Sequence, residues 1–272
     1  MIGRVLVVGG SDSSGGAGIQ ADLKTITALG GYAASAITAL TAQNTVEVSE
    51  VMGVPARMVS AQIRSVVTDI GVDVIKTGML HSASIVATVG ESCRSLVPRV
   101  QLIVDPVIVS STGHELLSAE GRETLVEQLL PRASLVTPNV PEAELLTGVQ
   151  IREVGDLGKA ADVFLALGAG AVLMKGGHLE GDRILDLLRT ADGTEVAFES
   201  ERIDTRSTHG TGCTLASAIA AGVAEGLTLR DSIQQARDFV HEAIRTAPGF
   251  GKGFGPLNHA HRAQREHDGP ES

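Results

Sequence analysis

Tryptophan is absent, and six aromatic residues in all (five Phe, one Tyr) leave this 272-residue chain little on which nucleic-acid bases could stack. Basic residues are also scarce. Against 32 Asp+Glu stand 22 Lys+Arg, a formal charge of −10 that opposes broad binding to nucleic acid or an anionic membrane. Two cysteines, Cys93 and Cys213, are too few for a disulfide framework or a cysteine zinc site. No run approaches the ~20 apolar residues of a membrane span. Residues 1–5 enter a strand-like run without the charged and apolar regions of a signal peptide. A soluble cytoplasmic protein is the expectation, with no nucleic-acid or membrane partner. A chain of this length that is 43% hydrophobic buries a sizeable core without disulfides or structural metal.

What the chain does contain is alternation. The segments 4–9 (RVLVVG), 73–75, 102–105, 134–137 and 171–174 are short, apolar and largely β-branched, as suits strands buried on both faces of a parallel sheet. Helical periods lie between them. Val59, Ile63, Val66 and Ile70 follow Pro55; Ile85, Val86, Val89 and Cys93 follow Ser82; Leu125, Val126, Leu129 and Leu130 stop at Pro131. Thr228 and Asp231 have capping-box spacing and open a helix through Ile244. Residues 180–200 read as a hairpin turning at 191–194. The pattern predicts an α/β fold with a mainly parallel central sheet and helices on both faces, in three layers. With no linker or repeat, residues 1–260 are expected as one domain, and 261–272 as a polar, disordered tail.

In such sheets ligands bind beyond the carboxyl ends of the strands. Those exits collect glycines, the lysines Lys76 and Lys175, and the isolated acids Asp105 and Glu142. Residues 9–18 (GGSDSSGGAG) have P-loop glycine spacing, but Gly16 and Ala17 stand where Lys and a hydroxyl residue are required. Residues 16–21 match G-x-G-x-x-A, yet no acid lies ~20 residues on to hold a ribose, which disfavours a nicotinamide enzyme. At 208–214 (THGTGCT) glycines precede a helix of small residues that ends near Gly226. Its backbone N–H groups and dipole favour an anion.

Seven stretches, taken together, resemble the hydroxymethylpyrimidine/phosphomethylpyrimidine kinases of the ribokinase-like family. They are GGSDSSGGAGIQADLKT (9–25), ITALTAQNT (37–45), KTGML (76–80), DPV (105–107), TPNVPEAELL (137–146), LMKGGH (173–178) and THGTGCTLASAIAA (208–221). The resemblance covers most of residues 4–258. It implies a ribokinase-like fold and ATP-dependent phosphorylation of 4-amino-5-hydroxymethyl-2-methylpyrimidine, then of its monophosphate, in thiamine biosynthesis. It also implies Mg²⁺, room for a monovalent cation, and a homodimer.

Residue by residue, the resemblance places Gly10, Asp22, Gln43, Met79 and Val107 around the pyrimidine. Gln43 offers acceptor and donors, and Asp22 an acceptor for an exocyclic amine. Asn139, Lys175, Thr208 and Gly212 fall on the nucleotide, and Asp105 and Glu142 on the metal. Gly210, Thr211 and Gly212 supply anion-hole amides. Cys213 stands where sugar kinases of this fold carry an aspartate base, and a helix N-terminus is expected to lower its thiol pKa. The rival to a thiolate base is catalysis by positioning and electrostatics. The alternative substrate is pyridoxine or pyridoxal, and a non-catalytic vitamer sensor is the alternative of another class. The spacing of His259 and His261 suits a metal pair but falls on the expected tail.

Overall fold

The computed structural model describes residues 2–96, 99–110, 112–179 and 181–268. Nine strands form one sheet: β1 (Arg4–Asp12), β2 (Tyr32–Gln43), β3 (Val48–Gly53), β4 (Val74–Thr77), β5 (Gln101–Val104), β6 (Leu135–Val136), β7 (Ala171–Lys175), β8 (Arg183–Thr190) and β9 (Glu195–Glu201). Their order is β3-β2-β1-β4-β5-β6-β7-β8-β9. The six from β2 to β7 are parallel; β3, β8 and β9 are antiparallel to their neighbours.

Strand side chains divide by parity, as the pleat requires. Val5 and Val7, Ile103, and Ala171 and Leu173 point into one apolar cluster, with α1 (Gly18–Ala28), α7 (Thr211–Ala224) and α8 (Leu229–Arg245). Leu6 and Val8, Leu102 and Val104, and Val172 and Met174 point into the other. That cluster is covered by α2 (Ala56–Asp69), α3 (Ala83–Arg94), α5 (Val140–Thr147) and α6 (Val154–Ala166), while α4 (Ala119–Thr124) packs against α3. Three layers follow directly from that alternation.

Several boundaries differ from the sequence reading. β1 runs on through Gly9, Gly10 and Ser11 to Asp12, pairing with β2 across a register shift between Gly9 and Ser11. β2 carries too much Ala, Thr and Ser for a strand pattern to show, and β3 is a short, largely exposed edge strand. Helical turns continue past Leu130, with Pro131 inside a 3₁₀ turn to Arg132. The helix after the second glycine segment begins at Thr211, and Gly226 takes the left-handed φ of +92° just beyond its end. Where a disordered tail is expected, α9 spans His261–Asp268, and His261 packs against Phe239 with ring centroids 4.7 Å apart. Residues 269–272 lie outside the described residues. The hairpin turns at 191–194 as expected, and Thr228 accepts from the Asp231 N–H at 3.1 Å. Among the described residues no helix is long and apolar enough to cross a membrane.

Candidate active site

A cavity of about 710 Å³ opens beyond the carboxyl ends of the parallel strands, within the usual range for small-molecule sites. It gathers Gly10, Asp22, Gln43, Met79, Val107, Asp105, Asn139, Glu142 and Lys175 with Thr208 to Cys213. Every residue singled out for the site lies on this one cavity.

One end is built from strand exits. A Cβ on Gly10 would stand 2.7 Å from the Met79 sulfur, so β1 needs glycine there for Met79 to lie flat against it. Gln43 ends β2, its Oε1 accepting from the Thr41 hydroxyl at 3.2 Å. Asp22 takes a different part from the one expected. Its Oδ1 accepts from Lys76 Nζ at 2.8 Å and from the Ser217 hydroxyl at 2.6 Å, and Lys76 is wholly buried. That carboxylate balances a buried ammonium while it lines the cavity beside Gln43.

A second group centres on Lys175 at the close of β7. Its Nζ donates to Asp105 Oδ1 at 3.0 Å and lies 4.0 Å from Glu142 Oε2. Burial works against the charge, but Asp105 and Glu142 hold the Lys175 ammonium above the ordinary lysine value. The same contacts hold Asp105 below the usual carboxylate range in spite of its burial. Burial drives Glu142 up to about 7, with Lys175 opposing. Asn139 caps α5 through a reciprocal pair: its Oδ1 accepts from the Glu142 N–H at 2.9 Å, and Glu142 Oε2 accepts from the Asn139 N–H at 2.8 Å.

The two glycine segments dock on one another. Gly210, at φ +83°, caps α7 with its Cα against the Gly16 carbonyl, where any Cβ would collide. A Cβ on Gly212 would reach 3.3 Å from Lys175 Nζ and 3.8 Å from Asp105 Oδ2, so the helix start and the lysine converge. No side chain caps α7 and no acid occupies its first turn, which leaves its positive end for an anion. Of the three expected anion-hole amides, Thr211 already donates to the Thr208 carbonyl at 3.3 Å.

Cys213 departs from expectation. Burial pushes its thiol up to about 12, with Asp22 and Asp105 adding to the rise; Lys76 and the Gly18 N–H oppose it without prevailing. Burial and the neighbouring carboxylates thus favour the thiol over the thiolate, against the lowering expected at a helix start.

Three features were not legible as functional. Asp12 and His209 stand inside quoted motifs, but only the fold shows them in contact, at 2.8 Å. Ser217 reaches Asp22 across 195 positions of sequence. His259 props α7, sharing a 2.9 Å hydrogen bond with the Thr214 hydroxyl. Burial lowers its pKa to about 4, with Lys24 and His261 contributing. A histidine held neutral in the fold charges more readily when unfolded. Stability is therefore full above about pH 6.5 and falls as pH drops toward 4, by up to roughly 3 kcal/mol. Urea melts across that window are expected to show the slope, and His259→Gln to flatten it; an unchanged slope would remove His259 as its source.

The phosphomethylpyrimidine kinase family profile matches residues 12–258. The hydroxymethylpyrimidine/phosphomethylpyrimidine kinase of Rhizobium meliloti is 45% identical over 265 residues, 96% of this chain and 98% of that protein. The thiamine biosynthesis bifunctional protein ThiED of Geobacter sulfurreducens is 48% identical over 98% of this chain, which spans 54% of that longer protein. Among solved structures, the ADP complex of Bacillus subtilis pyridoxal kinase superposes with a TM-score of 0.88 at 33% identity. The match covers 97% of this chain and 100% of that one. The ribokinase-like architecture expected from the resemblance is the one observed. The chain belongs to the phosphomethylpyrimidine kinase family and is a phosphotransferase of thiamine biosynthesis.

Proposed function

We propose that the chain phosphorylates 4-amino-5-hydroxymethyl-2-methylpyrimidine from ATP and then phosphorylates the monophosphate in the same cavity. The observation that carries this reading is the convergence of the α7 N-terminus, Lys175 and Asp105 around Gly212, facing an acceptor pocket of Gly10, Gln43, Met79 and Val107. Lys175 and the amides of the α7 start offset charge on the γ-phosphoryl group as it moves. Asn139 and Thr208 line the nucleotide side. Ile184, Val240 and Ile244 add apolar lining suited to the base.

Among the described residues no group of three or more His, Cys, Asp or Glu forms a metal cage. Two buried carboxylates, Asp105 and Glu142, share one lysine, which fits Mg²⁺ arriving with the phosphates and keeping waters. When bound, the ion neutralises phosphate charge; Asp105 and Glu142 would hold it, and Lys175 orients both carboxylates. A second copy of the chain suits the exposed Val46, Met52 and Met58 at the β3 edge, and sedimentation tests for the dimer. Two free thiols suit a reducing, cytoplasmic setting.

Cys213 sits at the acceptor hydroxyl as a thiol. In the first step the hydroxymethyl oxygen attacks phosphorus, the bond to ADP breaks and ADP leaves, and the hydroxyl proton passes late to an oxygen of the transferred phosphoryl group and from there to solvent. In the second, the attacking phosphate oxygen is already ionised near neutral pH and needs no base. Cys213→Ala is therefore expected to slow both steps alike, by about tenfold, through lost positioning. A loss confined to the first step would restore the thiolate base.

ADP release tests the reading, with the hydroxymethylpyrimidine, its monophosphate and pyridoxine offered side by side. Turnover of the first two with pyridoxine slower is expected. Pyridoxine as the best substrate would keep the phosphate site and overturn the assignment of Gln43.

A further inference from the structure

Asp12, at the end of β1, collects donors from two loops. Its Oδ1 accepts from the Ser14 N–H at 2.8 Å, and its Oδ2 from the N–H groups of Gly16 at 3.1 Å and Ala17 at 2.8 Å. Nε2 of the buried His209 lies 2.8 Å from the same Oδ2. Burial works against the charge on Asp12, but these hydrogen bonds hold its pKa at about 2, so it is an acceptor only. His209 Nε2 must then carry the proton it gives to Asp12.

That assignment bears on Gln43. As drawn, the amide nitrogen of Gln43 stands 3.4 Å from the same Nε2. Two N–H donors would face each other. The oxygen and nitrogen of a glutamine amide are exchanged by a half-turn, and hydrogen bonding decides between the two orientations. Turned over, the amide sets its oxygen against the single His209 Nε2–H, shared between Asp12 at 2.8 Å and Gln43 at 3.4 Å, and its nitrogen against the Thr41 hydroxyl. Thr41 in turn donates to the Ser11 carbonyl at 3.0 Å. Every group in the chain from Asp12 through His209, Gln43 and Thr41 to Ser11 then has a partner of the right kind.

We propose that His209, oriented by Asp12, is a positioning residue that fixes the donor–acceptor order of the Gln43 amide and thereby sets the preference for an aminopyrimidine. Such a ring offers an amine donor beside a ring-nitrogen acceptor, the complement of a fixed amide. An amide free to turn presents both orders and discriminates less. The packing leaves His209 little freedom, since a Cβ on Gly16 would stand 2.5 Å from its Cδ2. The inference rests on the assignment of Gln43 to the pyrimidine edge.

The test measures the KM of the hydroxymethylpyrimidine, the KM of ATP, and the inhibition constant of pyridoxine as a competitor. His209→Asn, too short to present a donor at the Nε2 position, is expected to raise the pyrimidine KM about tenfold. The ATP KM and pyridoxine inhibition should stay within about twofold, and His209→Gln, which returns an N–H there, should recover most of the loss. A parallel rise in all three constants, or no rise in the pyrimidine KM, would overturn the inference. Should His209→Asn fail to fold, Asp12→Asn is measured on the same three constants with the same expected outcome. Gln43→Ala separates the two layers. If it too leaves pyrimidine preference unchanged, the assignment of Gln43 falls and the inference with it. If it abolishes the preference while His209→Asn does not, only the inference falls.

Discussion

Lys175→Met is expected to lower kcat by about 10²–10³-fold while leaving the fold intact, the scale of losing one preorganised charge at a phosphoryl transfer site. Three contacts converge on this ammonium: Asp105 at 3.0 Å, Glu142 at 4.0 Å, and the α7 start, where a Cβ on Gly212 would reach 3.3 Å. Removing it leaves two buried carboxylates facing each other exactly where phosphates must enter, so nucleotide affinity falls as well. Lys175→Arg is not expected to rescue, since the planar guanidinium is too wide for the space beside Gly212. Steady-state kinetics with ATP varied checks both parts. A kcat near wild type would show that the anion hole rests on backbone amides alone.

Lys76→Met should be the most destabilising single change among the charged residues, at about 3–5 kcal/mol. Lys76 is fully buried on β4, and its charge is held by Asp22 at 2.8 Å, with Ser217 as the second donor to that carboxylate. Truncating one partner strands the other in the interior. Lys76→Met combined with Asp22→Asn is expected to recover most of the loss, because the stranded charge is gone. Urea denaturation midpoints of the three proteins settle this, and a cost below about 1 kcal/mol for the single change would mean that solvent reaches the pair.

Much of this site was legible because chemistry on α/β sheets gathers at strand exits, and glycines, lysines and acids stand out there against apolar runs. Lys175, Asp105, Glu142 and the glycines of 210–212 could all be located from one dimension. The parts that escaped are those that only folding brings together. Ser217 sits among small residues and reads as helix packing until it meets Asp22 on α1. His209 reads as one more loop residue until Asp12 closes on it. Cys213 shows a second limit, since a helix start is visible in sequence whereas the burial that raises the thiol pKa is not. β2 was missed because its run of Ala, Thr and Ser lacks period-two contrast, although it carries Gln43.

The central claim is that one cavity serves both acceptors. The most direct measurement follows the first phosphorylation with labelled hydroxymethylpyrimidine while unlabelled monophosphate is added. Competing substrates of one site inhibit each other competitively. The inhibition constant of the monophosphate should therefore equal its own KM in the second reaction. Mixed or uncompetitive inhibition, or an inhibition constant about tenfold away from that KM, would place the two acceptors at different sites and contradict the account.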